Sequence, residues 1–145
     1  MDVKKTHIGA YGVIVSDDKI ALIKKARGGY KGKLDLPGGG IEHYETPVEA
    51  VRREIMEEAG VKVSDCVLMD VISTNIRWEM ENDLFEDLHH IGILYRVRVS
   101  DLNLKKDADG LDSCGADWYS IDSLSKDGLS PFAIYGLEKM GYKID

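Results

Sequence analysis

The most informative part of the chain is residues 39–61, which read GGIEHYETPVEAVRREIMEEAGV. The second half of this stretch predicts an α-helix over residues 47–59. Thr46 is a good N-cap, Pro47 suits the first helical position, and Glu49 completes a capping box with Thr46. Gly60 stands where a helix commonly ends in the left-handed conformation. Apolar residues recur on one stripe of this helix, at Val48, Val51, Ile55 and Ala59.

Three glutamates of the predicted helix share one face beside the apolar stripe. Glu54, Glu57 and Glu58 cover an arc of about 100°. Like charges at these spacings destabilise a helix by about a few tenths of a kcal/mol per pair, and Arg53 alone does not neutralise three carboxylates. A solvated acidic face is one interpretation. The other is a site for a hard divalent cation, because Mg²⁺ and Mn²⁺ bind carboxylate and phosphate oxygens.

The same stretch resembles the Nudix box, G-x5-E-x7-R-E-U-x-E-E-x-G-U, in which U is a bulky aliphatic residue. Gly39, Glu45 and the run from Arg53 to Val61 fill every fixed position of that motif. Average composition gives a chance match in a chain of this length a probability of about 10⁻⁸ to 10⁻⁷. The resemblance implies an α/β fold, the Nudix α/β/α sandwich with a mixed β-sheet between helices. It also implies a hydrolase of nucleoside diphosphates linked to another moiety, abbreviated NDP-X.

The resemblance further implies a role for each box residue. Mg²⁺ or Mn²⁺ would be held by oxygen atoms of Gly39, Glu54, Glu57 and Glu58. Arg53 would orient the catalytic carboxylates, and Glu45 would give structural support to Arg53. The expected catalytic residues are Arg53, Glu54, Glu57 and Glu58. We expect Glu54 to help activate the attacking water, directly or through the metal, although members of the family differ in which carboxylate is the base.

Hydrophobic patterning outside the box predicts strands and a second helix. Strands are expected over residues 8–15, 20–23, 34–36, 67–73, 88–99 and 118–121. The first two strands flank Ser16-Asp17-Asp18-Lys19, which is typical of a hairpin turn. Ser130 and Pro131 predict the start of a final helix that runs to about residue 140. We predict loops over the remaining polar or glycine-rich stretches, 27–32, 38–40, 75–87 and 100–116.

Length and composition predict one ordinary globular domain, residues 1–145. The chain is 43% hydrophobic and 31% charged, which is typical of globular domains. Its net charge of −7 disfavours non-specific binding to nucleic acid, which needs a basic surface. No apolar run has the length of a membrane span, and Cys66 and Cys114 are too few for a disulfide scaffold. We expect a cytoplasmic monomer or homodimer whose partner is a small nucleotide.

Basic and aromatic residues outside the box are candidates for substrate binding. Arg27 borders a glycine-rich loop and is suited to contact phosphates. It belongs to a basic cluster that also contains Lys24, Lys25 and Lys31. Ordinary surface charge is the alternative for each of them. Arg77 and Trp78 could clamp or stack a base, although packing under a loop would also explain Trp78.

Asp112 is the candidate metal ligand outside the box. It lies six residues before Trp118. Resemblance to nucleotide-sanitising Nudix enzymes implies a carboxylate on this loop that can reach the metal cluster. Asp109 and Asp117 are rival candidates, and a solvated acid in a turn is the alternative interpretation.

The chain lacks the sequence markers that the resemblance would associate with particular substrates. ADP-ribose pyrophosphatases of the family commonly carry a proline beyond the box, and diadenosine-polyphosphate hydrolases often carry a tyrosine in the same region. The 8-oxoguanine-nucleotide hydrolases use an asparagine near the start of the last helix. None of these stands at the corresponding place here. We therefore predict a MutT-like pyrophosphohydrolase of small nucleoside triphosphates. Hydrolysis of ADP-ribose or another NDP-X, and non-catalytic nucleotide sensing, are the alternatives.

Overall fold

The computed structural model describes residues 2–106 and 113–145, without the side chains of 113 and 114. Within these ranges the chain forms eight strands and two α-helices. The strands are β1 (Asp2–Val13), β2 (Val15–Ser16), β3 (Lys19–Lys25), β4 (Leu34–Asp35), β5 (Gly38–Gly40), β6 (Val63–Glu81), β7 (Leu84–Val99) and β8 (Ser113–Ser120). The helices are α1 (Pro47–Ala59) and α2 (Pro131–Lys139). Two short 3₁₀ turns, Ile121–Ser123 and Lys126–Gly128, lead from β8 towards α2.

The larger of two sheets is mixed, with the strand order β5-β1-β7-β6. β1 runs parallel to β7, with Ala10 opposite Ile93, whereas the β1–β5 and β6–β7 pairs are antiparallel. The smaller sheet is built on β3, which pairs antiparallel with β2, β4 and β8. The predicted hairpin is confirmed as the β2–β3 pair, and its turn residues Asp17 and Asp18 adopt positive φ.

Both helices begin as their sequences predict. The side chain of Thr46 accepts a hydrogen bond from the backbone N–H of Glu49, and the side chain of Glu49 accepts one from the backbone N–H of Thr46. The capping box is therefore complete. Gly60 ends α1 in the left-handed conformation, with a φ of 69°. Ser130 caps α2 by accepting from the Ala133 N–H.

The helices cover opposite faces of the mixed sheet, because neighbouring residues of a strand point to opposite sides. Ala10 and Val97 belong to the core cluster that α1 joins through Val51, Ile55 and Ala59. Tyr11 and Leu94 belong to the second cluster, which α2 joins through Phe132 and Leu137. This arrangement is the predicted α/β/α sandwich with a mixed sheet. Val48, predicted on the buried stripe, is 37% exposed, so the stripe begins at Ala50 and Val51.

The loop predicted over residues 75–87 is wrong, because this stretch is the outer part of the β6–β7 hairpin. The two strands pair out to Glu81 opposite Leu84, with a shift in register between Glu79 and Glu81. The reversal occurs at Asn82 and Asp83, whose φ values are 44° and 62°. Asn and Asp tolerate this left-handed conformation, which tight hairpin turns require. The many acidic residues suggested a loop, but on this hairpin Glu79 and Glu81 lie exposed on a strand, and Glu86 is buried.

Two further stretches predicted as loops contain strands. Gly38–Gly40 pairs with β1 as β5, because a backbone without Cβ atoms can lie flat against its neighbours. The strand predicted over 118–121 begins earlier, at Ser113, so the predicted loop 100–116 ends before its expected boundary. No helix within the described ranges is long and apolar enough to cross a membrane.

Candidate functional site

The glycines of β5 let the carboxylates of α1 come close to the backbone of the sheet. A Cβ atom on Gly39 would lie only 2.7 Å from Oε1 of Glu54. The backbone N–H of Gly38 donates to Oε1 of Glu58 at 2.7 Å. Any larger residue at position 39 would displace the Glu54 carboxylate. The close approach therefore explains, in physical terms, why glycine stands at the first position of the box.

Arg53 connects this glycine strand to the acidic residues around it. Its Nε and Nη2 donate to the two carboxylate oxygens of Glu45 at 2.7 and 2.9 Å, a bidentate pair. Nη2 also donates to the carbonyl oxygen of Gly40 at 3.1 Å. Nη1 donates to Glu54 at 2.9 Å and to Glu57 at 3.4 Å. The hydrogen bonds from Arg53 lower the pKa of Glu45 to about 2.

The three glutamates of α1 lie in different environments. Glu58 is buried, and burial raises the pKa of its carboxyl although the Gly38 N–H acts in the opposite direction. The Glu57 side chain is 57% exposed, whereas that of Glu54 is 17% exposed. No group of three acidic, histidine or cysteine side chains among the described residues converges with the geometry of a metal site. The donor set still fits a hard cation, because every group is an oxygen ligand and Glu54 lies against the Gly39 backbone.

A cavity of about 860 Å³ lies near the three glutamates of α1, although none of them lines it. Lys25 and Asp35, which do line it, both act on the pKa of Glu58. His7 connects the two regions: it lines the cavity, and its ring lies 2.9 Å from where a Cβ on Gly40 would be. Two aromatic walls, Tyr30 and Trp78, face this space. Four cationic side chains also line it, those of Lys5, Lys25, Arg27 and Lys31. Three acidic side chains, those of Asp35, Glu79 and Glu86, line it as well, so the cationic groups exceed the acidic ones by only one.

Hydrogen bonds hold the aromatic walls in place. Nε2 of the buried His90 lies 2.6 Å from the Tyr11 hydroxyl, and Nδ1 lies 3.0 Å from the Tyr30 hydroxyl. Burial lowers the pKa of His90 to about 3, so its ring is neutral near pH 7. The indole N–H of Trp78 donates to Glu86 at 3.0 Å. These contacts orient flat rings around an open space, which is the usual architecture of a small-molecule site.

Comparison with known proteins identifies the family. The family model described as the NUDIX domain matches residues 5–139. The chain belongs to the Nudix family. A solved MutT Nudix hydrolase from Burkholderia pseudomallei has a TM-score of 0.62 and 25% identity to this chain, covering 93% of this chain and 98% of its own. A Nudix hydrolase from Nitrosomonas europaea has a TM-score of 0.65 at 24% identity, covering 94% and 88% respectively, and supports the fold alone.

Two curated relatives have names that indicate different substrates. An ADP-ribose pyrophosphatase from Methanocaldococcus jannaschii is 36% identical over 115 residues, which cover 79% of this chain and 62% of the relative. An 8-oxo-dGTP diphosphatase from Proteus vulgaris is 34% identical over 74 residues, which cover 50% and 66% respectively. This Nudix chain thus matches slightly less than two thirds of the length of each relative.

Of the residues predicted outside the Nudix box, Arg27 lines the cavity and Arg77 does not. Arg77 and Trp78 are neighbours on β6 and point to opposite faces of the strand, so only Trp78 reaches the cavity. Arg77 instead donates to Asp2 at 2.9 and 3.2 Å and lies over the ring of Phe85. Its role in substrate binding stays a prediction.

The structure describes one of the three acidic residues proposed as metal ligands near β8. Asp112 and its rival Asp109 lie outside the described residues. Asp117 is described, and its Oδ1 accepts from the Trp118 N–H and lies 3.7 Å from Lys106 Nζ. Asp117 thus already has local partners.

Several residues of the cavity were not identified as site candidates from the sequence, among them Tyr30, Asp35 and His90. Asp35 carried a usable signal, because an acidic residue stands between Leu34 and Leu36 in an otherwise apolar strand next to the Nudix box. Tyr30 and His90 carried none, since their contacts join residues 60 positions apart in the chain.

Proposed function

We propose that this Nudix protein is a metal-dependent hydrolase that cleaves the phosphoric anhydride of an NDP-X substrate. The observation that carries the proposal is the contact between the Glu54 carboxylate and the Gly39 backbone, which Arg53 stabilises. The adjoining cavity has cationic groups suited to phosphates and aromatic walls suited to a base. Glutamates on a solvated helix face would not need this glycine strand.

The residues that would hold the divalent cation are Gly39, through its carbonyl oxygen, and Glu54, Glu57 and Glu58. Such a cation neutralises charge on a pyrophosphate and lowers the pKa of a bound water. Arg53 and Glu45 hold Glu54 in place through the bidentate pair and the 2.9 Å bond from Nη1. In our proposal, a carboxylate oxygen of Glu54 accepts the proton of the attacking water.

We propose small nucleoside triphosphates as the preferred substrates. A cavity of about 860 Å³ has the size of a small-molecule site and can accommodate one nucleoside. Lys25 and Arg27 line the same space and would contact the phosphates. The similarity to an ADP-ribose pyrophosphatase over 79% of the chain makes ADP-ribose hydrolysis the second candidate. The single-domain organisation, cytoplasmic location and monomeric or homodimeric state stay predictions.

The test measures release of phosphate or pyrophosphate from a panel of nucleoside triphosphates, and release of AMP and ribose 5-phosphate from ADP-ribose. Each substrate is assayed with Mg²⁺, with Mn²⁺ and with EDTA. We expect turnover that needs a divalent cation, and a reduction of kcat by about 100-fold or more in Glu54→Gln. Glu138→Gln is the matched control, because Glu138 lies on α2 and pairs with Lys126. Nucleotide binding without turnover at any cation concentration would favour the sensor alternative. Full activity in Glu54→Gln would contradict the role of the glutamates.

A further inference from the structure

The outer edge of β6 is a long strand edge without a partner. β6 is the last strand of the mixed sheet and, among the described residues, pairs only with β7. Its register with β7 shifts near residue 69 and again near residue 80, but residues 70–79 between these shifts pair regularly. Along this regular stretch the backbone N–H and C=O groups of the outer edge are available to another strand.

The residues that present these backbone groups can be identified. The N–H of Val71 donates to the Asp70 carboxylate at 2.8 Å, which indicates that it points away from β7. Backbone direction alternates along an antiparallel strand, so Ser73, Asn75 and Arg77 also direct their N–H and C=O groups to the outer edge. A second strand could therefore form hydrogen bonds with several of these residues in succession.

The sequence of this edge contains none of the residues that usually protect a free strand. Residues 71–76 read VISTNI, without charge, proline or glycine. Free edges are normally protected by charged side chains, above all lysine, or by proline. Residues 2–7 of β1, which lie outside its pairing with β5, follow this rule and include Lys4 and Lys5. Several of the exposed large hydrophobic side chains also belong to β6, namely Val67, Leu68, Val71 and Met80.

A second copy of this chain fits the edge, because the stretch is complementary to itself in an antiparallel pair. A two-fold axis at Thr74 places Ile72 opposite Ile76 of the second copy, and Ser73 opposite Asn75. Apolar side chains then meet apolar ones and polar side chains meet polar ones. An axis at Ser73 would instead place Ile72 opposite Thr74. With the axis at Thr74, the outward backbone groups of Ser73 and Asn75 bond to each other in both directions.

The charges of this stretch also permit self-pairing. The chain has a net charge of −7, so two copies repel each other unless the surfaces that meet avoid like charges. Within residues 70–78 the charged residues are Asp70 and Arg77. With the axis at Thr74 they stand opposite uncharged residues, Asp70 opposite a tryptophan and Arg77 opposite a valine. No charged side chain therefore opposes another across the pair.

We propose that β6 pairs with β6 of a second copy about a two-fold axis at Thr74, so that two four-stranded mixed sheets join into one. The exposed Leu68 of each copy then lies at the level of the exposed Met80 of the other. This proposal does not depend on the proposed function. A strand of a different protein is the competing occupant, and it would leave the pure chain monomeric.

Sedimentation velocity at about 50 µM protein measures the oligomeric state. For wild type we expect a species of twice 16.2 kDa. Ser73→Pro removes an N–H that faces outward and spares the bonds to β7, and Ser73→Lys places a cation diagonally across from Arg77 of the second copy. Each variant should raise the dimer dissociation constant by about tenfold or more and keep the circular dichroism spectrum of wild type.

Thr6→Lys is the matched control. Thr6 is exposed on the same face of the sheet, since Thr6 and Asn75 both pair with His89, but it lies on β1 and away from the β6 edge. This variant should dimerise as wild type does. A monomeric wild type would overturn the proposal, and so would an equal effect of Thr6→Lys and Ser73→Lys.

A cross-linking experiment tests the register and covers the case in which Ser73→Pro does not fold. Thr74 faces its own copy across the axis in a pair without hydrogen bonds, where Cα atoms lie about 4.5 Å apart, within the range of a disulfide. In a chain without Cys66 and Cys114, Thr74→Cys should form a covalent dimer on mild oxidation about tenfold faster than Ser73→Cys, which faces Asn75. Equal rates, or no cross-link in Thr74→Cys, would overturn the proposal.

Discussion

The carboxylate face of α1 and the cavity beside it are neighbours, but the chain assembles them in different ways. Glu45, Arg53 and Glu54 lie within ten residues of one another. The cavity instead brings together Tyr11 of β1, Asp35 of β4, Trp78 of β6 and His90 of β7, with Tyr30 from the connection before β4. The proposed chemistry is thus encoded locally, whereas the proposed recognition depends on strand pairing across the whole chain.

The two regions meet at β5. A Cβ on Gly38 would lie 2.6 Å from Cα of Tyr11, and one on Gly39 would meet the Glu54 carboxylate. The same short strand therefore lies between Tyr11, which lines the cavity, and the Glu54 carboxylate. Variants can accordingly affect catalysis and recognition separately, and the predictions below test this separation.

The largest effect is expected from Arg53→Ala. This change removes the bonds to Glu45, Glu54 and the Gly40 carbonyl together, and leaves partly buried acidic groups without their partner. We expect kcat to fall by about 100-fold or more and the free energy of unfolding to fall by about 1–3 kcal/mol. Steady-state kinetics and thermal unfolding check the two parts.

Glu54→Gln provides the contrast for Arg53→Ala. It removes one charge from a crowded acidic face, so we expect the loss of kcat with little change in melting temperature. If the two variants melt at the same temperature, Arg53 does not have the additional structural role assigned to it.

A smaller effect is expected from Arg27→Ala, which tests the cavity. Arg27 lines the cavity, so its loss should raise KM for a nucleoside triphosphate by about threefold to tenfold and leave kcat nearly unchanged. Arg77→Ala is the matched control, because Arg77 pairs with Asp2 outside the cavity. An equal rise of KM in both variants would indicate a general charge effect and would contradict local binding by Arg27.

The smallest effect concerns the free energy of unfolding at low pH. His90 in the cavity and Glu45 in the Nudix box should reduce it over different pH ranges. The folded-state pKa of His90 is about 3, below its ordinary value of 6.5, because the ring is buried. The unfolded chain therefore binds a proton that the folded chain does not, and stability is lost as pH falls from 6.5 towards 3. For Glu45, whose pKa is about 2 against an ordinary 4.5, stability is lost only as pH falls from 4.5 towards 2.

Urea unfolding of His90→Asn and Glu45→Gln beside wild type measures this difference. The difference in urea midpoint between wild type and His90→Asn should become smaller as the pH falls from about 7.5 to about 5. The gap between wild type and Glu45→Gln should stay constant over that range and narrow only below about pH 4.5. If both differences in urea midpoint become smaller over the same pH range, the separate pKa shifts assigned to His90 and Glu45 are contradicted.

Local sequence was a reliable guide where one segment contains all the partners. The capping box of Thr46 and Glu49, the left-handed Gly60 and the pairing of Arg53 with Glu45 all lie within the Nudix box and agree with expectation. The failure over residues 75–87 has the opposite cause. Acidic side chains there suggested a loop, but strand pairing and the Asn82-Asp83 turn outweighed that composition.

The sequence by itself determined the helix α1, its caps, the order of the acidic residues along it and the family to which the chain belongs. These features follow from spacings of a few residues, over which helix geometry is nearly constant. Only the tertiary structure decided that Trp78 faces the cavity while Arg77 faces away, and that Asp35 lines the cavity while its Oδ1 accepts a hydrogen bond from Ser130. Strand register determines such choices, because a shift of one residue reverses every side chain of a strand.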